Sequence, residues 1–156
     1  MQKEIIMKSF KSIMFIILSL TVIAPLSAQA DLIQPILPNS LALKWFNAAN
    51  LPKGAQLTIL TGNPQKKEFY VARLKLPANF NIPSHSHVTD EYNTVISGTY
   101  YLGIGKNIDK NHSIALPSGS FIKFPAGTIH YGFTKEETII EISGIGPWRT
   151  IPKKLV

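Results

Sequence analysis

Beyond Leu51 the chain is dominated by short runs in which apolar and polar residues alternate. Residues 68–76 show it most clearly. Tyr70, Ala72, Leu74 and Leu76 fall on one side, and Phe69, Val71, Arg73 and Lys75 on the other, the period-two pattern of a strand with one buried face. Residues 57–61 form a shorter apolar run that ends at the turn signal Gly62-Asn63-Pro64. Further runs span 82–88, 92–102 (broken at Gly98), 113–116, 120–124, 128–133 and 138–143. Pro77, Gly103, Gly105, Pro117-Ser118-Gly119 and Pro125-Ala126-Gly127 punctuate them, and residues 144–147 break the pattern. Many short strands between Gly/Pro turns predict an all-β antiparallel sandwich or closed barrel. The apolar patch 41–46, with Asn39 or Ser40 as a cap, predicts a short helical or irregular segment through Ala48, outside the barrel.

The first thirty residues follow a different pattern. Lys3, Lys8 and Lys11 precede an uncharged apolar stretch, which leads to Pro25 and to Ala28-Gln29-Ala30. A charged start, an apolar middle and an A-x-A exit predict a signal peptide cleaved after Ala30; Met7 is an alternative start, because Lys8 and Lys11 alone would serve. The stretch 12–30 is near the lower limit for a membrane span. Pro25 and the small-residue exit favour cleavage over anchoring. The expected organisation is a signal peptide (1–30), an extension (31–50), a barrel (51–147) and a tail (148–156), in a periplasmic or secreted protein with no stable membrane anchor.

Composition narrows the chemistry. The chain has no cysteine, which excludes disulfides, thiolate ligands, a cysteine nucleophile and lipid anchoring through an N-terminal Cys. Its net charge is +7, part of it in the leader, and the remaining Lys and Arg are scattered singly or in pairs. No basic run with interleaved aromatics appears, so nucleic acid is not an expected partner.

Three of the four histidines and one glutamate stand out. His85 and His87 are two apart in a predicted strand, so their rings leave the same face. Glu91 follows four residues later, and His130 lies far along the chain just past a Pro-x-Gly turn. Two imidazoles on one strand, a third from a distant strand and a carboxylate suit one divalent ion (Mn, Fe, Ni, Co or Zn) with coordination positions left for water or substrate. His112, between Asn111 and Ser113, reads as an exposed loop residue. Tyr92 and Tyr131 each follow a candidate ligand and should point away from the ion. Arg73 reads as solvent-facing; turned into the barrel mouth it would suit an anionic substrate.

His85-Ser86-His87-Val88-Thr89-Asp90-Glu91, then six residues to Gly98, resembles the first cupin motif, HxHx3Ex6G. Gly119, five residues, Pro125-Ala126-Gly127, two residues and His130 resembles the second, Gx5PxGx2H. The resemblance implies an antiparallel β-barrel of jelly-roll type with His85, His87, Glu91 and His130 as metal ligands in its mouth. Asn79 and Thr134 depart from the usual Gly and Asn of the two motifs; Asn tolerates positive φ, so the first turn should survive. The leader and single domain also resemble small secreted bacterial cupins of unassigned function, a group similar to ChrR-type cupins, and cupins commonly form homodimers. The implied function is a metal-dependent enzyme (a dioxygenase, decarboxylase, isomerase or lyase) acting on a small organic molecule, with Glu91 able to carry a proton. The alternative is a non-catalytic module that binds or senses a small ligand.

Overall fold

The computed structural model describes residues 43–49 and 51–152; the expected leader and most of the extension lie outside them. Eleven strands and one 3₁₀ turn, Lys110–His112, form these residues. The strands are β1 (Phe46–Asn47), β2 (Gln56–Thr61), β3 (Phe69–Leu76), β4 (Asn81–His87), β5 (Glu91–Ser97), β6 (Thr99–Ile104), β7 (Ile114–Pro117), β8 (Phe121–Phe124), β9 (His130–Thr134), β10 (Thr138–Ile145) and β11 (Thr150–Pro152). They build one six-stranded sheet, β1-β2-β3-β10-β5-β8, and one five-stranded sheet, β11-β4-β9-β6-β7. Every pairing is antiparallel. From β3 on, every connection except the β6–β7 hairpin crosses from one sheet to the other, so the sheets face each other as a jelly roll.

The alternation in β3 fixes which face is inside. Tyr70, Ala72, Leu74 and Leu76 are buried, and opposite them on β10 lie Gly144, Ile142, Ile140 and Thr138. On the other flank of β10, Ile140 faces Val95 and Ile142 faces Asn93 of β5. The resulting apolar core includes Phe80, Ile82, Tyr100, Leu102 and Phe124 from both sheets; full burial of one such aliphatic side chain contributes about 1.5–3 kcal/mol.

The turns carry special backbone where the motifs depart from the cupin pattern. Asn79 adopts φ 58°, the conformation its side chain tolerates best. Thr134 supports the same turn: its hydroxyl donates to the Pro77 carbonyl at 2.6 Å and accepts from the Phe80 N–H at 3.1 Å. Pro83 sits inside β4 where the register with β9 shifts between Ile82 and His85, a bulge being the place where a strand tolerates a residue without an N–H.

Two features differ from the sequence pattern. Residues 43–48 are extended rather than helical, with Phe46 paired to Leu57 and Asn47 to Gln56; the cap positions Asn39 and Ser40 lie outside the described residues. A ten-residue helix is marginal on its own. The free edge of β2 offers backbone partners instead, and Lys75 places its ammonium 4.4 Å from the Trp45 ring centre. The pattern also predicts no strand after Ser143, yet β10 runs on to Ile145 and β11 pairs with β4, setting Thr150 opposite His87 and Pro152 opposite His85.

Candidate metal centre

The bulge in β4 brings His85 directly opposite His130 on β9. Ring centres lie 4.3 Å apart for His85 and His130, 4.9 Å for His85 and His87, and 5.3 Å for His87 and His130. One nitrogen from each of the three lies within 4.8 Å of the other two, and all three side chains are buried. The two sequence motifs are stitched together at this point. Asp90 accepts a hydrogen bond from the Ala126 N–H at 2.9 Å and pairs with Lys123 at 3.1 Å, and the Gly127 N–H donates to the His87 carbonyl at 2.8 Å. Phe124 stacks on His130 at 4.0 Å and fixes the plane of its ring.

The hydrogen bonds prepare these rings for a cation. His85 Nδ1 meets the Pro83 carbonyl at 2.8 Å, and His130 Nδ1 meets the Thr128 carbonyl at 3.0 Å. A carbonyl only accepts, so Nδ1 carries the proton in both rings and Nε2 presents a lone pair. His87 has neither ring nitrogen hydrogen-bonded, although it is buried. The Arg149 backbone is close enough to favour its charged form slightly but does not meet hydrogen-bond geometry. Such a pair of orphaned buried nitrogens is costly unless something else occupies them. The donor set therefore fits a divalent metal ion.

Burial, together with repulsion from His85 and His130, pulls His87 down to about 3; burial and repulsion from His85 pull His130 down to about 4. Burial also lowers His85, against its bond to the Pro83 carbonyl. All three imidazoles are neutral at pH 7, the form that binds a metal.

Glu91 lies beside this set but outside it. Its Oε2 is 3.3 Å from His87 Nε2 without hydrogen-bond alignment. The same oxygen accepts from the Trp148 indole N–H at 2.6 Å, while Oε1 accepts from Asn93 Nδ2 at 3.0 Å. Burial pushes the carboxyl up to about 7, against the downward pull of those two hydrogen bonds. Asn93 and Trp148 are the functional candidates that the motifs do not contain. Asn93 is two residues after Glu91 on β5, on the same face, and that spacing could have marked it; no local signal marks Trp148, 57 residues away from Glu91.

The other singled-out residues lie elsewhere. His112 is exposed and bonded to Asp109 at 2.6 Å. Tyr131 bonds the Asp109 backbone, and Tyr92 stacks on Phe121; neither lines the cavity beside the histidines. Arg73 pairs with Glu141 at 3.0 Å and does not line it either.

That cavity, about 70 Å³, is walled by Leu57, Leu74, Ile140 and Ile142 together with the histidines, Glu91 and Asn93. A larger hollow of about 380 Å³ shares His85, Ile82 and Trp148 with it and adds Arg149.

The titrations give opposite signs. An unfolded histidine takes up a proton below about 6.5, whereas folded His87 and His130 stay neutral down to about 3 and about 4. In that window the unfolded chain binds more protons, so stability falls as pH falls. Glu91 opposes this: its contribution is full below its unfolded value of 4.5 and is lost as pH rises through about 7. The histidines outnumber it. The chelated protein is expected to be less stable at pH 5 than at pH 7, by roughly 1–3 kcal/mol. Urea midpoints at the two pH values check this, and a midpoint that rises on acidification would refute it.

Solved structures with this arrangement of strands include cupins. An RmlC-like cupin from Ralstonia eutropha superposes with a TM-score of 0.55 at 19% identity, covering 75% of this chain and 72% of that one. The polyketide cyclase RemF from Streptomyces resistomycificus does so with a TM-score of 0.64 at 16% identity, covering 80% and 87%. The DMSP lyase DddQ from Ruegeria pomeroyi gives 0.56 at 14%, covering 71% and 61%. The fold is thus a cupin barrel. The sequence matches a family described as a domain of unknown function, DUF4437, over residues 35–143, and the chain belongs to that family. No curated protein matches it.

Proposed function

We propose that this protein is an exported, metal-dependent cupin enzyme acting on a small organic molecule, with Glu91 as the group that carries a proton. The observation that supports it most is the convergence of three buried, neutral histidines on one side of a cavity, two of them fixed on backbone carbonyls and the third left with both nitrogens free. His85, His87 and His130 would hold the ion, one of Mn, Fe, Co, Ni or Zn by donor type, with Glu91, whose Oε2 lies 3.3 Å from His87 Nε2, as the fourth ligand that can leave it to carry a proton. When bound, it would polarise a substrate oxygen as a Lewis acid or, if redox-active, support oxidation. Glu91, at about 7, is suited both to accept and to return a proton near neutrality. Asn93 Nδ2 holds one carboxylate oxygen in place, and Asn93 Oδ1 is a buried acceptor without a partner, ready for a substrate hydroxyl or N–H.

The apolar walls exclude water and suit an apolar reacting end, because the inner cavity admits only a few heavy atoms. The rest of the substrate would lie past Trp148 in the larger hollow, where Arg149 would meet an acidic group. Two solved structures of this fold are named as a cyclase and a lyase, which keeps lyase and isomerase chemistry within the reach of the fold.

Elemental mass spectrometry on untagged protein from its native compartment is expected to find about one transition-metal ion per chain. No metal, even after reconstitution, would end the enzyme reading. Export has its own check. The intact mass of the exported protein is expected to begin at Asp31, and a mass that retains residues 1–30 would refute cleavage. Sedimentation is expected to show a homodimer.

A further inference from the structure

We infer that the Tyr100 hydroxyl is a ligand-binding group of the inner cavity, where it donates a hydrogen bond to a small carboxylate held against the histidines. The inference rests on the metal reading above and names a class of ligand and a residue that selects it.

On β6, Tyr100 stands opposite Thr134 of β9, but its ring does not stay at that level. It leans along β9 until its hydroxyl fills the space in which a Cβ of Gly132 would stand; a diagonal neighbour across a strand pair is within reach of an aromatic ring. The next residue of β9 on that face is His130. Gly132 is thus the slot through which the phenol reaches towards the histidines. Tyr100 is 2% exposed and lines the inner cavity together with His85, His87 and His130. Tyr131 uses its hydroxyl in two hydrogen bonds to the Asp109 backbone, whereas the Tyr100 hydroxyl has no partner among the described residues. Burial and the charge of Glu91 both push the phenol above its ordinary range, so it keeps its proton and can donate.

Charge selects the ligand class. An ionised Glu91 cancels one of the two charges of a divalent ion, and a monoanion cancels the other. A cavity walled by Leu57, Leu74, Ile140 and Ile142 favours that neutral sum. A carboxylate supplies the charge and a second oxygen for Tyr100, and its carbons suit the apolar walls. Tyr70 offers a built-in comparison. It is equally buried, has no partner among the described residues and also feels the charge of Glu91, but it does not line the cavity.

The test titrates the full chain, loaded with cobalt(II), with acetate, because the visible bands of the ion report a change in its donors. The wild type is expected to bind acetate, and to bind uncharged acetamide far more weakly. Tyr100→Phe removes one hydroxyl and keeps the ring in its slot. It is expected to weaken acetate binding about tenfold, the scale of one hydrogen bond to a charged group, and to leave cobalt affinity and the urea midpoint as in the wild type. Tyr70→Phe is expected to match the wild type in all three. Unchanged acetate affinity in a folded Tyr100→Phe protein would overturn the inference, as would acetamide binding as tight as acetate or an equal loss in Tyr70→Phe. If Tyr100→Phe does not fold, zinc-loaded wild type labelled with carbon-13 at the tyrosine Cζ decides the matter. Acetate is then expected to move one tyrosine resonance, and a spectrum in which none moves would overturn the inference. Cobalt that binds without any response to acetate would refute the inference alone. Failure of the wild type to bind cobalt at all would instead refute the metal reading, a distinct result.

Discussion

Replacing His85 and His130 together by alanine is expected to reduce bound metal from about one ion per chain to background, while the barrel still folds. The two rings face each other across β4 and β9 and supply two of the three converging nitrogens; a single remaining imidazole does not hold a divalent ion against water. Neither ring is part of the apolar core that joins the sheets, and neither ring's removal leaves a buried charge, because both are neutral. The chelated double variant should therefore unfold within about 2 kcal/mol of the chelated parent. Metal analysis and urea unfolding on the same samples check both halves. Full metal retention would place the ion elsewhere, and loss of folding would make the histidines structural.

The second large effect is expected at Gly132. A methyl group there would run into the end of the Tyr100 ring, which lies across it from β6 and is only 2% exposed, so it has nowhere to retreat. Overpacking of this kind costs about 3 kcal/mol. Tyr100 also lines the cavity beside the histidines, so a displaced ring should lower metal affinity as well. Gly119→Ala is the contrast. Its φ is +88°, but nothing lies within 4 Å of an added Cβ, so only backbone strain of about 1 kcal/mol is expected. Equal losses at the two positions would show that Tyr100 yields to the added methyl group and that this contact does not set the requirement for Gly132.

What the sequence discloses follows from how local each determinant is. The strand at 69–76 is legible because one face is core and the other is not, and the two ligand-bearing strands are legible because motif spacing encodes them. Asn79 could be assigned its turn because positive φ is a property of one residue. The helix expected towards Ala48 fails because an apolar patch beside a cap residue carries no information about the open edge of β2, which claims Phe46 and Asn47. β11 is hidden for the same reason: it is three residues long, includes Pro152, and exists only because β4 has a free flank. Spacing likewise names Glu91 as a fourth ligand but cannot reveal that its carboxylate is shared with an indole far along the chain. Arg73, open to either face in the sequence, is settled by Glu141 across the strand pair.

The pairing of β11 with β4 has a consequence for the order in which the protein is made. A nascent chain appears N-terminus first, so His85, His87, Glu91 and His130 are all present before Trp148 and residues 150–152. Until those arrive, one flank of the strand that bears two of the histidines is unpaired, and the Glu91 carboxylate lacks the indole. The finished pocket is thus a late product of synthesis. If the chain is exported unfolded, any ion that the histidines take would be selected in whichever compartment Trp148 comes to rest, not where the histidines are first joined to the chain.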